Sequence, residues 1–127
     1  MDLILDTNAL LAIAEGERGA IKEFVRARQV AIPVIVLGEY RFGIAQSRHR
    51  RRYERWVEEL ISVSELLEIN DETAVWYAEL RGELRAAGTP IPSNDTWIAA
   101  LARQHALPIL SQDRHFDLIK GLRRLDW

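Results

Sequence analysis

Apolar runs of strand length alternate with stretches of helical periodicity along the whole chain, and no other feature constrains the fold as much. Strand signals fall at 2–6, 30–34, 66–69 and 108–111, with a weaker one at 122–127. A short helix is expected through Leu10, Leu11 and Ala14, after the capping side chains of Asp6-Thr7-Asn8. Residues 19–28 space Ile21, Phe24 and Val25 as an amphipathic helix, and a mostly apolar helix covers 34–46. Further helices are expected over 49–63 and over 71–87, the latter opening at Asp71 with Gly88 just past its end. Thr89-Pro90-Ile91-Pro92 reads as a rigid connector, after which Ser93 or Asn94 caps a helix running to His105. Such alternation calls for an α/β fold whose parallel sheet is covered on both faces. The pattern does not encode the strand order.

Two of the apolar runs end in acids. Asp6 closes Leu3-Ile4-Leu5, and Asp113 follows the run Pro108–Ser111. Both fall at or just past the carboxyl end of an expected strand, the edge where open parallel sheets bind ligands. Asp95 stands in the first turn of its helix, and Glu39 is the only charged residue between Val30 and Tyr40. Each acid has an ordinary reading as well. Asp6 can cap a helix, Asp113 can form a turn, and Asp95 can complement the helix dipole. Glu39, in a helix that is apolar on both sides, needs something to compensate its charge unless it reaches solvent. Gathered at one sheet edge, such acids repel by roughly 4 kcal/mol per close pair at an effective dielectric near 20. A hard divalent cation bound through oxygen is the usual relief. Asp117 is a fifth acid, read either as a supporting partner or as a solvated loop residue.

The chain of 127 residues is expected to form one domain over 1–127, with 48% hydrophobic and 28% charged residues. It contains no cysteine, which removes disulfides, thiolate zinc sites and cysteine nucleophiles. No apolar run approaches the length of a membrane span. The acidic start Met1-Asp2-Leu3 leads directly into a strand and lacks the pattern of a signal peptide. A cytoplasmic location is the expectation.

The formal net charge of −2 conceals an asymmetry, because residues 41–55 hold six arginines against Glu54 alone. In the 49–63 helix, Tyr53, Trp56, Val57 and Leu60 share one face. Arg48, Arg51, Arg52 and Arg55 share nearly the opposite one. That basic face is either a solvated surface or a contact for a polyanion or an acidic partner. Tyr53 and Trp56 fit the core, or an interface between copies.

Other catalytic constellations are poorly supported. His49 lies in the arginine run, His105 sits late in a helix, and His115 has no serine or cysteine elbow to serve. No glycine-rich phosphate loop is present. A phosphoacceptor receiver domain would need neighbouring acids after its first strand, and an aspartyl-nucleophile phosphatase a second acid two residues on. Here Asp6 is followed by Thr7-Asn8.

Four segments in order, Leu-Asp-Thr-Asn-Ala-Leu-Leu at 5–11, Leu-Gly-Glu-Tyr-Arg-Phe-Gly-Ile at 37–44, Asn-Asp-Thr-Trp-Ile-Ala-Ala at 94–100 and Ser-Gln-Asp-Arg-His-Phe at 111–116, resemble the successive motifs of PIN-domain proteins. More narrowly, they resemble the VapC-type toxins of bacterial toxin–antitoxin pairs. The resemblance implies a three-layer α/β/α sandwich with a mainly parallel sheet. It implies a Mg²⁺- or Mn²⁺-dependent endoribonuclease, usually dimeric, inhibited by a VapB-like antitoxin. Matched residue by residue, Asp6, Glu39, Asp95 and Asp113 correspond to the acidic quartet that holds metal and carries catalysis. Thr7, Asn8 and Ser111 correspond to residues that orient those carboxylates. The last motif more often reads Thr-Asn-Asp, where this chain has Ser111-Gln112-Asp113; serine keeps the hydroxyl and glutamine an amide. In this frame Arg48, Arg51, Arg52 and Arg55 become a candidate contact for RNA or antitoxin. The alternative is a PIN-like module that binds RNA or protein without cutting.

Overall fold

All five strand signals become strands of one parallel sheet in the computed structural model, which describes residues 1–127. The strands are β1 (Leu3–Leu5), β2 (Val30–Pro33), β3 (Glu65–Leu67), β4 (Ile109–Leu110) and β5 (Arg124–Leu125). The helices are α1 (Thr7–Ala14), α2 (Arg18–Arg26), α3 (Val34–Ile44), α4 (Arg50–Ser62), α5 (Asp71–Ala86) and α6 (Ser93–His105). A 3-10 helix over Arg114–Leu118 follows β4.

The sheet order is β3-β2-β1-β4-β5. Register is set by Ile4, which opposes Ala31 of β2 on one side and Ile109 of β4 on the other. The chain thus moves outward from β1 through β2 to β3, then returns to place β4 on the other flank of β1. Right-handed crossovers put α1–α4 on one face and α5–α6 on the other. The helix contacts fit this, since α1 packs with α2, α3 and α4, and α5 packs with α6, while α6 also meets α3. This is the three-layer α/β/α arrangement. Its central strands are covered on both faces, which explains why β1, β2 and β4 are uniformly buried apolar runs rather than alternating ones.

Several boundaries differ from expectation for local reasons. Val34 opens α3 instead of closing β2, with Pro33 in extended backbone as its cap. Neither Ser93 nor Asn94 caps α6. Pro92 holds that position, and Thr96 Oγ1 donates to its carbonyl at 3.0 Å. Asn70 caps α5 in a reciprocal box with Thr73, and Gly88, at φ +71°, takes the left-handed position just past the helix end. Tyr53 and Trp56 are half-buried and pack against the core, where Tyr40 donates its hydroxyl to the Tyr53 carbonyl at 2.9 Å. The C-terminal Trp127 lies over Gly19, where an added Cβ would come within 3.0 Å of the indole. No helix is long and apolar enough to cross a membrane.

Candidate functional site

The order of the strands reverses between β1 and β4, and that crevice is where a parallel sheet of this kind presents its ligand site. Asp6 sits at the β1 end and Ser111 at the β4 end, joined by the bond from Asp6 N to the Leu110 carbonyl (3.1 Å). Asp6 also caps α1, its Oδ1 accepting the Thr7 N–H at 2.9 Å. The ordinary and the functional readings of this residue therefore describe one geometry.

Ser111 is fully buried and completely used. Its hydroxyl donates to Asp6 Oδ2 at 2.6 Å, while its oxygen accepts from Asn8 Nδ2 (3.2 Å) and Asp113 N (2.9 Å). One donor and two acceptor sites are all a hydroxyl offers. Asn8 adds a longer bond to Asp6 Oδ2 (3.4 Å) and accepts from Gln112 N at 3.2 Å, tying the first loop to the last. On the other side Thr7 Oγ1 donates to Glu39 Oε1 at 3.1 Å. Glu39 is half-buried beside Gly38, around which the space is open. The charge that the sequence left uncompensated thus meets both solvent and a hydroxyl.

Asp113 accepts the His115 N–H at 2.9 Å, and His115 Nδ1 lies 3.1 Å from both Asp113 Oδ1 and Asp95 Oδ2. A continuous chain of contacts therefore runs Glu39–Thr7–Asp6–Ser111–Asp113–His115–Asp95. It draws the four acids, dispersed over the sequence, to one sheet edge.

Electrostatics follows from this crowding. Burial pushes the Asp6 carboxyl up to about 6, opposed by hydrogen bonds from Ser111 and Thr7 and reinforced by the charges of Asp95 and Glu39. Asp95 is also raised, first by burial; the His115 bond opposes this and the neighbouring Asp113 adds to it. The His115 imidazole is raised chiefly by its bond to Asp95.

Two residues of this arrangement had no role in the sequence reading. His115 has no nucleophile to serve, yet it joins two of the acids; its only local signal is the place two residues after Asp113. Arg124, in the weakest strand signal, donates to the Ser111 carbonyl (3.0 Å), to both oxygens of Asp117 (2.8 and 3.1 Å) and to Asp126 (2.9 Å). Asp117 reaches the acid chain only through this guanidinium. Arg48, Arg51, Arg52 and Arg55 are exposed and form no ion pair, whereas Arg50 meets Glu54 at 3.5 Å. With His49 and Ser47 they line an open hollow at the start of α4, outside the chain of acid contacts.

A family model described as the PIN domain matches residues 3–122. Ribonuclease VapC5 of Mycobacterium tuberculosis is 32% identical over 120 residues, 93% of this chain and 87% of the relative. The tRNA(fMet)-specific endonuclease VapC of Salmonella typhimurium is 29% identical over 130 residues, covering 100% of this chain and 98% of its own. Among solved structures, DNA-bound VapBC from Salmonella typhimurium matches with a TM-score of 0.86 at 29% identity, over 100% of this chain and 98% of that one. VapBC-5 from Mycobacterium tuberculosis, described as a member of the VapBC family of toxin–antitoxin systems, matches with a TM-score of 0.75 at 28% identity over 99% and 98%.

Proposed function

The chain belongs to the PIN domain family, with VapC proteins as relatives over nearly its whole length, and we propose that it is a divalent-metal-dependent endoribonuclease, the toxin of a VapBC-type pair. The observation that supports this reading best is the contact chain that gathers Asp6, Glu39, Asp95 and Asp113 at the switch point of the sheet. The named activities of the two VapC relatives support the same reaction class.

The donor set suits a hard cation such as Mg²⁺ or Mn²⁺, since it consists of carboxylate oxygens with one imidazole nitrogen beside them. Asp6, Asp95, Asp113 and Glu39 would hold the ion. When bound, it would lower the pKa of a coordinated water and offset charge on a phosphodiester under attack. The protein's part is positioning. Asp6, with a pKa of about 6, is mostly ionised at neutral pH, and Oδ1 keeps a lone pair beyond the one taken by Thr7 N. Ser111 and Asn8 fix the rotation of that carboxylate. Glu39 Oε2 has no protein partner, which leaves it free to take a proton from an attacking water.

RNA, a VapB-like antitoxin and a second copy of the chain are the partners in this reading, in a cytoplasmic setting. Arg48, Arg51, Arg52 and Arg55 give a basic surface for the RNA backbone or for an acidic segment of the antitoxin. Reversing the charge at Arg51 and Arg52 should weaken RNA binding and flatten its salt dependence, with metal affinity unchanged. Unaltered binding would return that surface to plain solvation.

Cleavage-site sequencing of total RNA incubated with the purified protein tests the proposal, with Mg²⁺ or EDTA and with Asp6→Asn in parallel. Cuts at a few defined sites that need both the metal and Asp6 are expected. Metal-dependent cutting by Asp6→Asn at the wild-type rate would discard the assignment. Folded, antitoxin-free protein that makes no cuts would point to a binding module.

A further inference from the structure

Asp95, Asp113 and His115 offer ligand atoms that all lie within 4.8 Å of one another, and one of the three is a nitrogen. The imidazole Nδ1 is 3.1 Å from each of two carboxylate oxygens. A six-coordinate cation with bonds of about 2.1 Å separates adjacent donors by about 3.0 Å. The two nitrogen–oxygen separations match the edge of such a polyhedron. We propose that His115 is a metal ligand of this corner, making it a mixed nitrogen–oxygen position that prefers Mn²⁺ to Mg²⁺. This rests on the reading of the site as metal-dependent and adds to it which side chain sets the choice of ion.

Three features of the chain carry the proposal. First, the imidazole is held in place by its own backbone. The His115 N–H donates to Asp113 Oδ1 at 2.9 Å, so the residue that brings the nitrogen also orients the neighbouring oxygen. The next residue, Phe116, is fully buried and anchors the 3-10 helix. Second, the His115 side chain is 47% exposed and Nε2 has no protein partner, so the ring can coordinate without desolvating its outer edge. Third, the chemistry separates the two ions. Mg²⁺ keeps oxygen ligands and waters, whereas imidazole suits first-row transition ions better. The rival reading makes His115 an imidazolium paired with two carboxylates, displaced when the cation enters. Only the first reading puts nitrogen on the metal.

Electron spin-echo modulation of bound Mn²⁺ reads this directly. Wild-type protein, His115→Ala and His115→Gln are titrated with Mn²⁺ and then competed with Mg²⁺. The wild type should show nitrogen modulation that both variants lose, and the preference for Mn²⁺ over Mg²⁺ should fall about tenfold. His115→Gln, which restores an oxygen donor, should recover more binding than His115→Ala without recovering the nitrogen signal. Bound Mn²⁺ with no nitrogen modulation in the wild type would overturn the proposal and leave the metal-dependent reading standing. So would modulation that survives in His115→Ala. An unchanged Mn²⁺/Mg²⁺ preference would overturn the selectivity, and failure of all three proteins to bind either ion would overturn both readings.

Discussion

Asp6 and Asp95 are both aspartates at the start of a helix, and burial raises both, yet the structure holds them in opposite ways. Asp6 is 4% exposed and accepts from Thr7 N, Ser111 Oγ and Asn8 Nδ2, donors carried by α1 and by the residue that follows β4. Asp95 has a side chain 16% exposed and a single partner, the half-exposed ring of His115 on a 3-10 helix. One carboxylate is fixed by three donors; the other rests on one. The difference teaches where this fold places rigidity. The strand-end acid is oriented by three donors before anything binds, whereas the helix-start acid has the His115 ring alone. Pre-organised donors cost no reorganisation at the moment of reaction.

The sharpest way to test that contrast is to remove the charge of Asp6 and read stability. Burial pushes the carboxyl up to about 6 in the folded protein, from an ordinary aspartate value of 3.8. Between those values the folded state binds more protons than the unfolded one, so stability falls as pH rises through this window. The full cost, about 3 kcal/mol as an upper figure, stands above pH ~6. In EDTA, Asp6→Asn should therefore be more stable than wild type at pH 7 to 8, and the gain should shrink to nothing below pH ~4. Asp95→Asn should gain less, because its carboxylate is less buried and its bond to His115 already opposes the rise. Thermal denaturation across pH measures both. A gain for Asp6→Asn that persists unchanged into acid would mean that the Asp6 charge is not the strained element.

Ser111→Ala comes next in size. It removes the donor to Asp6 Oδ2 and the acceptor of Asn8 Nδ2 and Asp113 N, touching three neighbours at once. Loss of such an orienting partner typically lowers metal affinity or activity about 10- to 100-fold. Because the Ser111 bond pulls the Asp6 pKa down, its loss should also move the pH dependence of metal binding upward. Isothermal titration with Mn²⁺ at several pH values reads both effects. His115→Ala should leave the Asp6 pH dependence where it is, and a shift there as large as that of Ser111→Ala would break the contrast between the two corners.

Much of the rigid corner was legible in the sequence because its signals are local. An acid after three apolar residues, followed by Thr-Asn, announces a strand end and a helix cap in adjacent positions. The run 108–111 does the same for the other strand. Glu39 was legible as a charge out of place, though its relief by the Thr7 hydroxyl was not, since that contact joins two helices. The strand order that makes Asp6 and Ser111 neighbours depends on crossover direction, which no local pattern contains. The cap of α6 was misplaced because Ser93 and Asn94 are strong capping types, while extended Pro92 outcompetes them by position. The corner of Asp95, Asp113 and His115 was half legible. Asp95 and Asp113 stood out as acids, but the ring that joins them lies 20 residues from Asp95 in sequence, and its approach follows from where the 3-10 helix turns.

The smallest effects belong to the clamp behind Ser111. Arg124 has a side chain 12% exposed and reaches the Ser111 carbonyl with the same nitrogen that meets Asp126, while Asp117 holds the rest of the guanidinium. Arg124→Met removes every leg and should loosen the β4 end, lowering cleavage about 10-fold, the low end of what an orienting partner supplies. Asp117→Asn removes one exposed leg and leaves two, so a change of about twofold is expected, in keeping with a surface ion pair. The guanidinium holds the carboxyls of Asp117 and Asp126 below the usual range. Their contribution is therefore present above pH ~3.8 and lost only as pH falls through their lowered folded values, under the window in which Asp6 titrates. Activity that declines between pH 6 and 4 should thus track Asp6, with the same profile in Asp117→Asn and wild type. A profile displaced by Asp117→Asn would move the clamp from the support of the site into its ionisation, and the contrast between the two corners would then have to include it.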